Sequence, residues 1–171
     1  TGHHSPLAAG ALVCSRDNAA AVMASVDTLH LPAIFCDRVR AAIQRRIPEL
    51  PADAVIFCNA IHTHCAPPLN AGDVFRQPHP DALPPEHYAS LVAEGIATAA
   101  SQAWSELHPC RVASALGSAR LGHCRRSVYA DGAAELYGWR DRDDFLGLEE
   151  GEDSGVELLF LYYGADEPAG V

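Results

Sequence analysis

An α/β fold with a mixed, partly parallel sheet and flanking helices is what this 171-residue chain predicts. Three observations carry that expectation. Apolar runs of strand length alternate with two longer segments of helical period. Prolines stand at both ends of each helical segment, where chain geometry starts or stops a helix. The resulting order is strand, strand, helix, strand, helix, strand, irregular segment, strand, and such alternation is the pattern of parallel crossover units.

Taken in order, Leu7 to Val13 is a short apolar strand. Ala19 to Val26 is a second, nearly continuous apolar run that ends at Asp27. A helix follows from Pro32, with Ile34, Phe35, Val39, Ile43 and Ile47 at three-to-four spacing, Arg38, Arg45 and Arg46 largely off that stripe, and Pro48 as the stop. Ala54 to Ala60, rich in Val, Ile and Phe, reads as a buried strand. Asn59 to Leu83 is a proline-bearing loop. Pro84-Pro85-Glu86 opens a long helix running to about Leu107, with Tyr88, Leu91, Val92, Ile96, Ala99 and Ala103 as its apolar face. Pro109 stops it, and Arg111 to Leu116 is a strand. Gly117 to Gly155, dense in Gly, Asp and Arg, is expected to be irregular. Val156 to Tyr163 is the last strand, before a Gly/Pro/Asp tail.

Composition narrows the function. Hydrophobic residues make up 49% and mean hydropathy is near zero, enough apolar material for a core. The net charge is −10, with 22 acidic residues against 12 basic ones, all arginine. An acidic chain without basic runs argues against nucleic acid as a partner. No apolar run reaches the length of a transmembrane segment. The opening Thr1-Gly2-His3-His4 has neither an initiating Met nor a leader pattern, so a fragment or processed product is expected. Six cysteines (Cys14, Cys36, Cys58, Cys65, Cys110, Cys124) form no C-x-x-C pair, which disfavours a zinc knuckle. Cys36 and Cys58 fall inside apolar patterns and read as small buried residues.

The chemistry concentrates in Ile56-Phe57-Cys58-Asn59-Ala60-Ile61-His62-Thr63-His64-Cys65-Ala66-Pro67-Pro68. An apolar strand runs into H-x-H and stops at prolines. In an extended backbone, residues two apart share a side, so His62 and His64 would project together with Thr63 opposite. They would also stand at the carboxyl end of a strand, where open α/β sheets place ligands. Two imidazoles so held suit a divalent metal, zinc above all. On spacing alone a metal site and a pair of solvated loop histidines both stand, because catalytic zinc needs a third protein ligand.

Ala60-Ile61-His62-Thr63-His64-Cys65-Ala66-Pro67 resembles the T-H-T-H-S-G-P stretch of the neutral/alkaline ceramidases. Further blocks resemble that family in the family's order. Gly2 to Val13 is similar to G-x-H-x-x-L-x-A-R-A-L-V, and Ala21 to Asp27 to the strand ending in V-S-x-D. Leu121 to Ser127 is similar to the G-x-x-N-R-R segment, and Asp153 with Val156 to Phe160 to the strand after it.

The resemblance implies a zinc-dependent amidase of sphingolipid metabolism, hydrolysing the linear amide of ceramide or a related lipid-like N-acyl amine with a metal-activated water. It implies His62 as a ligand of Zn2+ and His64 as the group beside the attacked amide. It implies an arginine on the substrate's polar group, either Arg125 or Arg126. The family's remaining His, Glu and Tyr ligands follow the strand that here is Val156 to Tyr163, so this chain is expected to be the N-terminal portion (residues 1–171) of a larger catalytic domain with part of the metal site. A secreted or periplasmic location is a further implication. A zinc would acidify its water and polarise the carbonyl, an imidazole would pass a proton to the departing amine, and a guanidinium would hold the developing charge. Four departures from the family pattern, Gly10 for Arg, Cys65 for Ser, Ala66 for Gly and Cys124 for Asn, bear on the substrate pocket. Two other readings remain: an amidohydrolase-type metal hydrolase acting on another substrate, and an inactive family member serving as a binding domain.

Other residues fall to simpler readings. Asp27 is expected either to orient a histidine or to cap the turn with Thr28. His3, His4, His79 and His87 read as surface residues, and the sequence assigns no role to His30, His108 and His123. Tyr129, Tyr137 and Trp139 either line a groove or pin their segment. Asp141, Asp143, Asp144, Glu149, Glu150, Glu152 and Asp153 read as a solvated face without EF-hand spacing. Cys65 reads as a serine replacement before a thiol ligand or nucleophile.

Overall fold

Alternating apolar residues in the first half of the chain fold onto one face of a small sheet. A computed structural model describes residues 5–70, 72, 81–163 and 168–170. His3, His4 and His79 lie outside the described residues. The chain divides into two units, Thr1–Leu107 and His108–Val171.

In the first unit, β1 (Ala9–Arg16) and β2 (Ala19–Val26) form an antiparallel hairpin, with Val13 opposite Val22 and Ala11 opposite Ala24. Its two-residue turn, Asp17-Asn18, carries Asp17 at φ +52°, the left-handed geometry that fits strand twist. Helix α1 (Ala33–Arg46) then returns the chain to β3 (Val55–Ala60), which pairs parallel with β2, Val22 beside Ile56 and Val26 beside Ala60. Sheet order is β1-β2-β3 with one antiparallel and one parallel pair, the mixed sheet the sequence predicts. Helix α2 (Pro85–Ser105) follows, starting at N-cap Pro84.

The core of this unit is one cluster. Val22, Ala24 and Val26 from β2 meet Phe35, Val39 and Ile43 from α1 and Ile96, Ala97 and Ala100 from α2. Each fully buried Val or Ile contributes roughly 1.5–3 kcal/mol of burial. Two expected core positions are corrected. Ile34 is 76% exposed and Leu91 is 62% exposed. The stripe of α1 is Phe35, Val39, Ala42 and Ile43, and Ile34 stands about 100° round the helix from Phe35. The buried stripe of α2 is Ala89, Ala93, Ile96, Ala97 and Ala100, whose small side chains allow close packing and leave Leu91 on a different face.

In the second unit, β4 (Arg111–Ser118) pairs antiparallel with β8 (Gly155–Tyr162), and β9 (Pro168–Gly170) adds to β8. The segment expected to be irregular holds a second sheet. Strands β5 (Arg126–Tyr129), β6 (Ala134–Leu136) and β7 (Phe145–Leu148) pair in the order β6-β5-β7. Strands of three or four residues are too short to show an alternation, and their dense turn residues mask them. Tyr129 anchors this sheet. It is fully buried, donates its hydroxyl proton to the Trp139 carbonyl at 3.0 Å, and packs edge-on against Phe145. Arg142 lies 3.8 Å over its ring and pairs through two bonds with Asp144. Tyr129 therefore pins its segment, whereas Tyr137 and Trp139 are exposed.

Candidate metal centre

The carboxyl ends of β2 and β3 lie side by side because the two strands run parallel. Just past them, the Ile61 amide donates to the Val26 carbonyl at 3.2 Å, continuing the ladder one step beyond β3. That register sets the chain after Val26 next to the chain after Ile61.

His62 then leaves the strand. Its φ is +65°, left-handed rather than extended, so the expected side-by-side projection from a strand is corrected. A non-glycine residue in that region stores about 1–3 kcal/mol unless its surroundings hold it. One such hold is present. His62 Nδ1 lies 2.7 Å from the Leu29 carbonyl oxygen, thirty-three residues earlier. A carbonyl only accepts, so Nδ1 carries a proton and donates, and in the neutral ring the lone pair then lies on Nε2.

The kink nonetheless brings the two imidazoles together. The His62 and His64 rings meet edge to face, with centroids 5.2 Å apart and planes at 85°. After them the Cys65 amide donates to Thr63 Oγ1 at 3.2 Å, a local turn that uses the hydroxyl in place of a ladder partner. Both histidines and Cys65 are exposed. The donor chemistry of His62 suits a zinc ligand whose second ring nitrogen is anchored to a carbonyl. Among the described residues no group of three or more His, Cys, Asp or Glu that could hold a metal ion converges.

Among the described residues Asp27 neither bonds a histidine nor caps its own turn. Its Oδ2 accepts the Ala8 amide at 2.9 Å, and its own amide donates to the Ala8 carbonyl at 3.0 Å. It ties the start of β1 to the end of β2.

Arg125 and Arg126 belong to the second unit and differ from each other. Arg126 Nε pairs with Glu149 Oε2 at 2.5 Å. Arg125 lies 4.9 Å over the Tyr137 ring. Neighbouring Cys124 has its thiol pKa lowered, chiefly by the backbone amides of Arg126 and Glu150.

Several partners escaped sequence reasoning. His123 Nδ1 is 3.5 Å from Glu152 Oε2, and Arg120 Nε is 2.5 Å from Glu152 Oε1. His108 packs edge-on against Tyr163 with centroids 6.3 Å apart. The acidic run is thus threaded with arginine and amide partners, Asp144 with Arg142, Glu149 with Arg126, Glu152 with Arg120 and Asp153 with the Gly155 amide. The Leu29 carbonyl left no signal at all, because every residue carries one.

Among the described helices, none is long and apolar enough to cross a membrane. Comparison with known protein families, with curated proteins and with solved structures finds no match.

Proposed function

We propose that this chain is part of a zinc-dependent amide hydrolase of the neutral/alkaline ceramidase type, acting on ceramide or a related N-acyl amine. The observation that carries the reading is the His62–Leu29 bond at 2.7 Å, made just past the carboxyl ends of two parallel strands, which leaves Nε2 of the neutral ring as the nitrogen able to bind a metal. The ordered blocks of family resemblance supply the reaction class.

His62 would hold the metal. When bound, zinc supplies Lewis acidity and an activated water. His64, in ring contact with His62, would take a proton and deliver it to the departing amine. Of the two arginines, Arg125 is the better fit for the substrate oxygen, since Arg126 already holds a carboxylate. The remaining ligands are proposed to lie beyond residue 171.

The test is fatty-acid release from ceramide by the full-length protein, with and without a zinc chelator, beside His62→Ala. Chelator-sensitive release that vanishes in the variant supports both metal and substrate. A folded, zinc-loaded protein that releases nothing rules out ceramide and directs the screen to other N-acyl amides. A folded protein that takes up no zinc would favour the binding-domain reading.

A further inference from the structure

Asp27 has a second feature beside its bond to Ala8. It lines a cleft of about 440 Å³ between the start of β1, the end of β2 and one face of α2. Leu7, Val26, Tyr88, Leu91 and Gly95 form much of the wall. Leu91 and Leu7 are the exposed apolar groups of this region, and the cleft is where they gather. Among the described residues that line it, Asp27 is the only charged one.

The polar inventory is specific. One Asp27 oxygen, Oδ2, accepts the Ala8 amide, while a carboxylate has about four lone-pair sites to offer. Tyr88 adds a hydroxyl. Burial, and then the negative charge of Asp27, push the Tyr88 phenol above its ordinary pKa, so it stays protonated and its oxygen accepts as well as donates. A carboxylate and a phenol oxygen above an apolar wall match a cationic donor on an apolar body. The net charge of −10 favours the same sign of ligand.

From this geometry we infer that the Asp27–Tyr88 cleft is a binding site for an alkyl ammonium, an amine cation on an apolar body. The ammonium donates to Asp27 Oδ1 and to the Tyr88 hydroxyl oxygen. The apolar body lies along Leu7, Val26 and Leu91. The site is independent of zinc, so it does not rest on the hydrolase reading.

Two substitutions separate its parts. Asp27→Asn removes the charge and leaves a carbonyl oxygen that still accepts the Ala8 amide. Gly95→Leu fills the cleft from the helix side. A Cβ built at Gly95 meets nothing within 4 Å, and leucine favours a helix over glycine, so this variant folds.

The experiment is isothermal titration calorimetry of the full chain near neutral pH, with EDTA present, using hexylammonium, hexan-1-ol and hexanoate. Hexylammonium is expected to bind at one site. Hexan-1-ol, hexanoate and the Asp27→Asn variant are expected to bind at least about tenfold more weakly, the scale of one charge-assisted hydrogen bond. Gly95→Leu is expected to abolish hexylammonium binding. No binding of hexylammonium, equal binding of hexan-1-ol, or an unchanged affinity in Gly95→Leu would each overturn the site. None of these outcomes touches zinc uptake, so failure here is distinct from failure of the hydrolase.

Discussion

His62 Nδ1 lies 2.7 Å from the carbonyl oxygen of Leu29, and this contact joins the loop after β2 to the loop after β3. It fixes which ring nitrogen bears the proton and holds a histidine in a left-handed conformation.

The contact separates a structural from a ligating role. In His62→Asn the carboxamide can still donate to Leu29, and asparagine tolerates positive φ better than most residues. Its stability should match the wild type, while zinc uptake by the full-length protein should be lost. In His62→Val both properties fail. A β-branched residue there should cost about 1–2 kcal/mol of backbone strain and about 1 kcal/mol for the lost bond. Chemical denaturation with metal analysis of both variants checks this, and a His62→Asn protein that loads zinc normally would remove His62 from the ligand set.

Helix α1 is clamped to α2 through Glu94, which accepts from Arg45 at 2.6 Å and from Arg46 at 3.0 and 3.1 Å. The Arg46 bonds first, then Arg45, lower its pKa below the ordinary 4.5. A depressed folded pKa means the clamp stabilises fully above 4.5 and loses its effect as pH falls through the lower folded value. Glu94→Gln should therefore lower Tm near neutral pH. Its Tm should converge with wild type in strong acid. An equal deficit at both pH values in a thermal melt would show that the charge plays no part.

Burial, and then the neighbouring Cys36, push the Cys58 thiol up to about 11, against a smaller opposing effect from Arg40. Its thiolate population is therefore negligible at neutral pH. Iodoacetamide at mildly alkaline pH should leave Cys58 unmodified in the native protein and modify it after denaturation. Peptide mass mapping reads the difference, and rapid native labelling of Cys58 would contradict its packing against the core cluster.

Gly138 sits against the β5 sheet. A Cβ there would run into the Tyr129 hydroxyl and press on Ser127 and Glu135. Ser127 is fully buried and donates to the Gly138 carbonyl at 2.9 Å, so nothing can retreat cheaply. Gly138→Ala should destabilise the second unit by about 1–3 kcal/mol, the range for overpacked cores. Denaturation followed by near-ultraviolet circular dichroism of the buried tyrosine checks it, and an unchanged midpoint would refute the close approach.

Local chemistry determined much of this protein on its own. Pro32 and Pro48 bracket α1, Pro84 opens α2, and the apolar runs at Ala19–Val26 and Val55–Ala60 are strands, although only the first is buried: Val55 and Phe57 of the second, expected in the core, are 64% and 58% exposed. His62 and His64 were legible as near neighbours, but the extended backbone expected to pair them is replaced by a left-handed kink at His62. Other features depended on what each residue meets. Ile34 and Leu91 are apolar at positions compatible with a core stripe, yet both are exposed, because the alanines of α2 and the Phe35–Val39–Ile43 face of α1 set the packing. The sheet of β5, β6 and β7 forms through pairings between strands too short to carry a period. His62 finds Leu29, Glu152 gathers Arg120 and His123, and Asp27 holds the Ala8 amide. Backbone period is a property of neighbours along the chain, whereas a hydrogen-bond or ion-pair partner is chosen by proximity in space, which only the folded backbone creates.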